Sequence, residues 1–137
     1  MLSGAPSPDA APFTPPYDDP NSGTVEQRAR GYLDVNCAHC HNPGGAAGST
    51  GFYLSLDQTD PTRLGICKSP VAAGIGTGGF TYDIVPGHPN QSIAIYRMSS
   101  TQPGIAMPEL GRQRVDTVAV DVIGQWILGL TGSCTKQ

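Results

Sequence analysis

Cys37-Ala38-His39-Cys40-His41 gathers two thiols and two imidazoles into five residues. Two cysteines separated by two residues, with a histidine directly after the second, have the spacing of covalent haem attachment. The thiols add across the two vinyl groups of the ring, which places both sulfurs on one edge. The following histidine then swings beneath the ring and binds iron through Nε2. Cys37 and Cys40 are therefore expected to form the thioethers of one covalent haem c, with His41 as the proximal ligand. The His41 Nδ1–H needs an acceptor to fix the tautomer, and the Pro43 carbonyl is a candidate. His39, between the thiols, is expected to point outward and takes no ligand role.

Two other chemistries use the same residue types. Structural zinc needs four ligands, usually from a second pair at similar spacing, and the other cysteines, Cys67 and Cys134, are single and far apart. A dithiol redox site of the thioredoxin kind sits in a βαβ pattern, which is missing around Cys37. Haem is the preferred reading, and the sixth ligand then decides what the protein does. Met107 lies in the loop Gly104-Ile105-Ala106-Met107-Pro108, where proline stiffens the support, and it is the preferred distal ligand. His88 would give bis-histidine coordination and a lower potential. Met98 falls within an expected helix, where a packing role suits it. A filled sixth position makes the protein an electron carrier rather than an enzyme. An open one would suit a haem peroxidase-like or ligand-binding domain.

The elements that must position these groups are sparse. With 18 Gly and 13 Pro among 137 residues and only 14% charged residues, the chain predicts short elements joined by long loops, in one domain. Residues 1–23 read as a Pro-rich linker or arm, which Phe13 and Tyr17 could pin to the domain spanning 24–137. Thr24-Val25-Glu26-Gln27 is a capping box. Val25, Arg28, Ala29, Tyr32 and Leu33 follow at helical spacing, and the helix runs into the cysteine motif, with Pro43-Gly44-Gly45 ending it. Residues 51–56 have the partial alternation of a short strand. Gly74-Ile75-Gly76-Thr77-Gly78-Gly79 lacks the ending of a phosphate loop, and its glycines are expected to pack closely against another surface, such as the haem face. A second helix is expected from Asn90 to about Arg97, with Ile93 and Tyr96 inward. The segment from Ser99 to Gly111 reads as loop. The last helix carries Val115, Val118, Ala119, Val122, Ile123, Trp126, Ile127 and Leu130 on one face, and Gly132 stops it.

Cys67 and Cys134 read most easily as a remote disulfide, with two buried thiols as the alternative. A disulfide implies an oxidising compartment, and no leader follows Met1, so the chain is expected to be a domain of a longer exported protein, periplasmic or extracellular. A net charge of −3 offers no field for nucleic acid. No apolar stretch is long enough for a membrane span. A monomer is expected.

A helix running into Cys-x-x-Cys-His, a loop Met-Pro downstream and a C-terminal helix together resemble the class I cytochrome c family over residues 24 to 134. The wording of residues 31–42 and of Met107-Pro108-Glu109-Leu110-Gly111-Arg112 is similar to mono-haem domains of bacterial exported, modular proteins. The resemblance implies an all-α, cytochrome c-like helical core around one haem, with long Gly/Pro-rich loops and an inserted segment over 44–88. It also implies electron transfer with a redox partner protein, a quinoprotein dehydrogenase or a copper polysaccharide monooxygenase among the possible classes. Cys67 would tie the insertion to the C-terminal helix through Cys134. Tyr32, Trp126 and Ile127 would pack against the ring or the helix crossing, and Arg97 or Arg112 would meet a propionate.

Overall fold

Helix α1 (Val25–Asn36) forms because its first turn caps itself. The Thr24 hydroxyl accepts from the Gln27 amide at 3.1 Å, and the Gln27 side chain accepts from the Thr24 amide at 3.0 Å. Two amides that would otherwise lack partners are satisfied reciprocally. The computed structural model describes residue 4, residues 7–111 and residues 113–135. Arg112 and Met1 lie outside the described residues. Helix α1 stops at Asn36, well before the Pro43-Gly44-Gly45 break expected from sequence, and Cys37 is its C-cap.

Two further α-helices follow, α2 (Ile93–Met98) and α3 (Thr117–Gly129). A 3-10 turn over Pro89–Gln91 leads into α2, so the second helical region begins where expected but changes pitch. Helix α3 starts at an N-cap the sequence reading did not single out: Asp116 Oδ1 accepts from the Ala119 amide at 2.9 Å. The other oxygen, Oδ2, accepts from the Tyr17 hydroxyl at 2.7 Å, so one carboxylate both starts α3 and moors the N-terminal arm. Tyr17 also lies edge-on to Tyr32 at 4.8 Å, and its carbonyl accepts from Arg28 Nη1 at 2.9 Å. Phe13, by contrast, is exposed.

The core is the crossing of α1 and α3. Ala29, Tyr32 and Leu33 from α1 and Ala119, Val122, Ile123, Trp126 and Ile127 from α3 share one buried cluster with Leu54, Ile84 and Met98. Many of these are β-branched and contribute little intrinsic helix stability, so burial of the face is what holds α3 together. The Trp126 indole N–H is buried without a hydrogen-bond partner among the described residues.

The expected all-α, cytochrome c-like helical core is not what the chain forms. Among the described residues there are three α-helices and no strand, only 34% is helical, and loops dominate. Between Asn36 and Ile93 the only regular elements are short 3-10 turns and the isolated bridges Ile66–Ile84 and Tyr82–Ser92, joined by turns and single backbone bonds. The physical cause is glycine placed where no side chain fits. At Gly65 (φ 90°) a Cβ would stand 2.6 Å from the Phe52 ring, and at Gly78 (φ 58°) one would stand 2.8 Å from the Tyr96 ring. Of the Gly74–Phe80 glycines, Gly76 and Gly78 do allow close approach, but to Arg97 and Tyr96 on α2, while Gly74 and Gly79 face open space. No strand forms over 51–56, because the segment finds only single partners: Tyr53 N–H donates to Arg63 O and Leu54 N–H to His41 O.

Candidate functional site: an apolar cavity behind the cysteine motif

Immediately after α1 the chain winds once more around a single carbonyl. The amides of Cys40 and His41 both donate to Cys37 O, at 3.1 and 2.9 Å. The Asn42 side chain staples this turn by donating to Ala38 O at 2.7 Å, and its oxygen accepts from Gly44 N–H at 2.9 Å. Cys40 O accepts from Ala47 N–H at 3.0 Å, and His41 O from Leu54 N–H at 2.9 Å. A side chain at Gly45 would collide with the Cys40 carbonyl. The motif is thus held by backbone bonds rather than by helix, and neither cysteine takes part in a disulfide.

His41 Nδ1 lies 3.1 Å from Phe52 O, and its ring meets the Phe52 ring edge-on at 5.1 Å. The acceptor is therefore Phe52 and not Pro43, because the chain returns past the imidazole after the 43–51 loop. A carbonyl can only accept, so the neutral imidazole carries its proton on Nδ1 and keeps a lone pair on Nε2. Burial pushes the His41 pKa below its ordinary value. The Phe52 bond opposes this, Arg97 and His39 add to it, and Glu109 opposes it. A neutral imidazole with Nδ1–H tied to a carbonyl is the form that donates to a metal.

Cys37, Cys40 and His41 line a cavity of about 470 Å³ whose walls are mostly apolar. Leu33, Leu54, Ile93 and Ala94 contribute to those walls, and so do both methionines singled out from sequence, Met98 and Met107. This volume falls within the range of sites that enclose an organic ligand. Met98 is buried and belongs to the core cluster, whereas Met107 is half-buried in the loop after α2. That loop is fastened to the helix end: Met107 N–H donates to Arg97 O at 3.1 Å, and Arg97 Nε donates to Ile105 O at 2.9 Å.

His88 is not brought to this cavity. It is exposed and lines a separate hollow with Phe80, Tyr82 and Cys134. Tyr32, Trp126 and Ile127 pack at the helix crossing and do not line the cavity; Arg97 does, and exposed His39 sits at its edge. Cys67 and Cys134 are disulfide-bonded with Cα atoms 5.2 Å apart, as the sequence reading expected, so neither can serve as a zinc thiolate. The sequence reading missed Lys68 and Asp83, which form an ion pair in the cavity wall. Residues 15 apart on an irregular segment leave no spacing signal; Lys68 being one of only two lysines was the sole hint.

No family model, no curated protein and no solved structure matches this chain.

Proposed function

We propose that this protein carries single electrons on one haem attached covalently through Cys37 and Cys40, with His41 as proximal and Met107 as distal ligand. The observation supporting this is convergence: both motif thiols, an imidazole with its Nε2 lone pair available and the Met107 side chain all border one apolar cavity. The donor set suits the group, because thioethers need two thiols at this spacing and iron takes an imidazole and a thioether as axial ligands. Haem, once held, supplies a one-electron Fe(III)/Fe(II) couple. The chain's residues do the rest. Cys37 and Cys40 anchor the ring edge, and the Phe52 carbonyl holds the His41 tautomer. Leu33, Leu54 and Ile93 exclude water, and the Arg97–Met107 backbone bond sets the distal loop against α2. Two protein ligands leave no open position for peroxide or a gas, which favours a carrier over an enzyme. Met107 suits the distal role better than Met98, whose side chain is committed to the core.

The Cys67–Cys134 bridge suits an oxidising compartment, and we assign the protein to the periplasm or the extracellular space, with a one-electron redox protein as partner. No helix among the described residues is long and apolar enough to cross a membrane. The test is expression with and without a c-haem maturation system. With it, the product should be coloured and keep its haem through acid–organic extraction. Without it, or with both Cys37 and Cys40 replaced by Ala, the product should be colourless. Haem that partitions into the organic phase rules the reading out.

A further inference from the structure

The cavity wall holds a pair of groups that ligation does not use. Lys68 Nζ lies 3.4 Å from Asp83 Oδ2, with 11% and 9% of the two side chains exposed, and both residues line the cavity. Their backbones are locked together. Asp83 N–H donates to Lys68 O at 2.7 Å, Cys67 N–H to Ile84 O at 2.9 Å and Ile84 N–H to Gly65 O at 2.9 Å. The Cys67–Cys134 disulfide fastens the same segment from its other side. Removing two ions from water into an apolar wall is costly, and a well-packed apolar pair of similar volume would hold the fold as well or better. The pair therefore calls for a role beyond stability.

We propose that Asp83, held beside Lys68, is a redox-linked proton acceptor, taking up one proton when the haem in this cavity is reduced and releasing it on oxidation. This rests on the haem reading above. One electron from a one-electron donor and one proton from bulk solvent enter together. As the O–H bond forms on an Asp83 carboxylate oxygen, an O–H bond of a hydronium ion in bulk solvent breaks and leaves water behind, and the net charge inside the cavity is unchanged.

The driving force is electrostatic. Iron(III) on a dianionic ring adds one positive charge to the cavity, which favours the carboxylate, and reduction removes that charge. At an effective dielectric constant of about 20, a unit charge about 10 Å away moves an acid's midpoint by about one pH unit. Asp83 is placed to respond. Burial pushes its pKa above the ordinary carboxylate value, while the Lys68 charge and hydrogen bond, and then Arg97 from α2, pull it down. Glu109, His39, His41 and the two cysteines of the motif, Cys37 and Cys40, which as thioethers would not titrate, are the other charged or titratable residues lining this cavity. Asp83 differs from Glu109 and His39 in being buried, so it exchanges less of its interaction with bulk water.

Holoprotein midpoint potentials, measured by spectroelectrochemistry over a series of pH values, test this. The wild-type potential should fall with rising pH over a window above the ordinary aspartate value, at a slope of about half a proton per electron for a shift of about one pH unit. Asp83→Asn should be flat across that window. Lys68→Met should move the window to higher pH, because a cation opposing protonation is gone. Reduced-minus-oxidised infrared spectra should show a protonated carboxyl band in the wild type that Asp83→Asn lacks. A flat wild-type profile, or a slope and band that survive in Asp83→Asn, overturns the proposal. Acid–organic extraction of the same preparation, done first, separates this failure from the other: if haem is released there, the haem reading itself falls and this inference with it.

Discussion

On the proposed haem reading, Met107 carries the distinction between a carrier and an enzyme. Its replacement by Ala should abolish the weak long-wavelength band of Fe(III)–sulfur coordination, lower the midpoint potential and open the iron to cyanide, all readable by absorption titration. Met98→Ala should leave the band in place. Because Met98 is 7% exposed within the core cluster, that change should instead cost about 2–5 kcal/mol in urea unfolding. His88→Ala should do neither, since His88 is exposed and borders a different hollow. A wild type without the band, whose iron is opened to cyanide by His88→Ala and not by Met107→Ala, would make the iron bis-histidine. At this scale the sequence was informative wherever chemistry is local. Cys37, Cys40 and His41 lie within five residues, and their spacing is the basis of the proposed haem, which the extraction test decides. The His41 acceptor was misread because it is set by the path of the chain from residue 43 to residue 52, which no local pattern encodes. Lys68 and Asp83 were invisible for the same reason.

Helices α1 and α3 were legible because periodicity is a short-range signal, aided in α1 by its capping box, and both survive as buried faces of one crossing. What lies between α1 and α2 was not, since its shape depends on glycines meeting particular rings and on single backbone bonds rather than on a repeating pattern. That is also why a resemblance carried by α1, the motif and the Met-Pro loop did not extend to the helical core it implied. Two caps make this scale testable. Thr24→Ala should destabilise the protein by about 1 kcal/mol, measured by thermal or urea unfolding, through loss of the capping box. Asp116→Ala removes the α3 cap and the Tyr17 hydroxyl's partner at once, so it should cost more, about 2 kcal/mol. It should also quicken limited proteolysis within the arm around residues 14–23, whereas Thr24→Ala leaves the arm's Tyr17–Asp116 bond in place. Equal cleavage rates in the two variants would show that Tyr17 does not moor the arm through Asp116.

The molecule as a whole has few regular elements, so its cross-link matters more than it would in a helical bundle. The disulfide closes a loop between residues 67 apart and joins the irregular middle of the chain to the segment after α3. Replacing both cysteines by Ser should cost about 4 kcal/mol by the loop-entropy argument, measured as a shift in the urea midpoint. The same four cysteines also set a problem of timing. Four thiols permit three pairings, and Cys37 and Cys40, three residues apart, would close on each other sooner than Cys67 finds Cys134. If haem attaches as proposed, the two cysteine pairs have opposite needs in an oxidising compartment: Cys67 and Cys134 must lose their hydrogens, while Cys37 and Cys40 must keep theirs until vinyl groups arrive. On that reading the yield of mature protein should follow the balance between an oxidant and a thiol reductant supplied together, measured as the coloured fraction over a series of redox buffers.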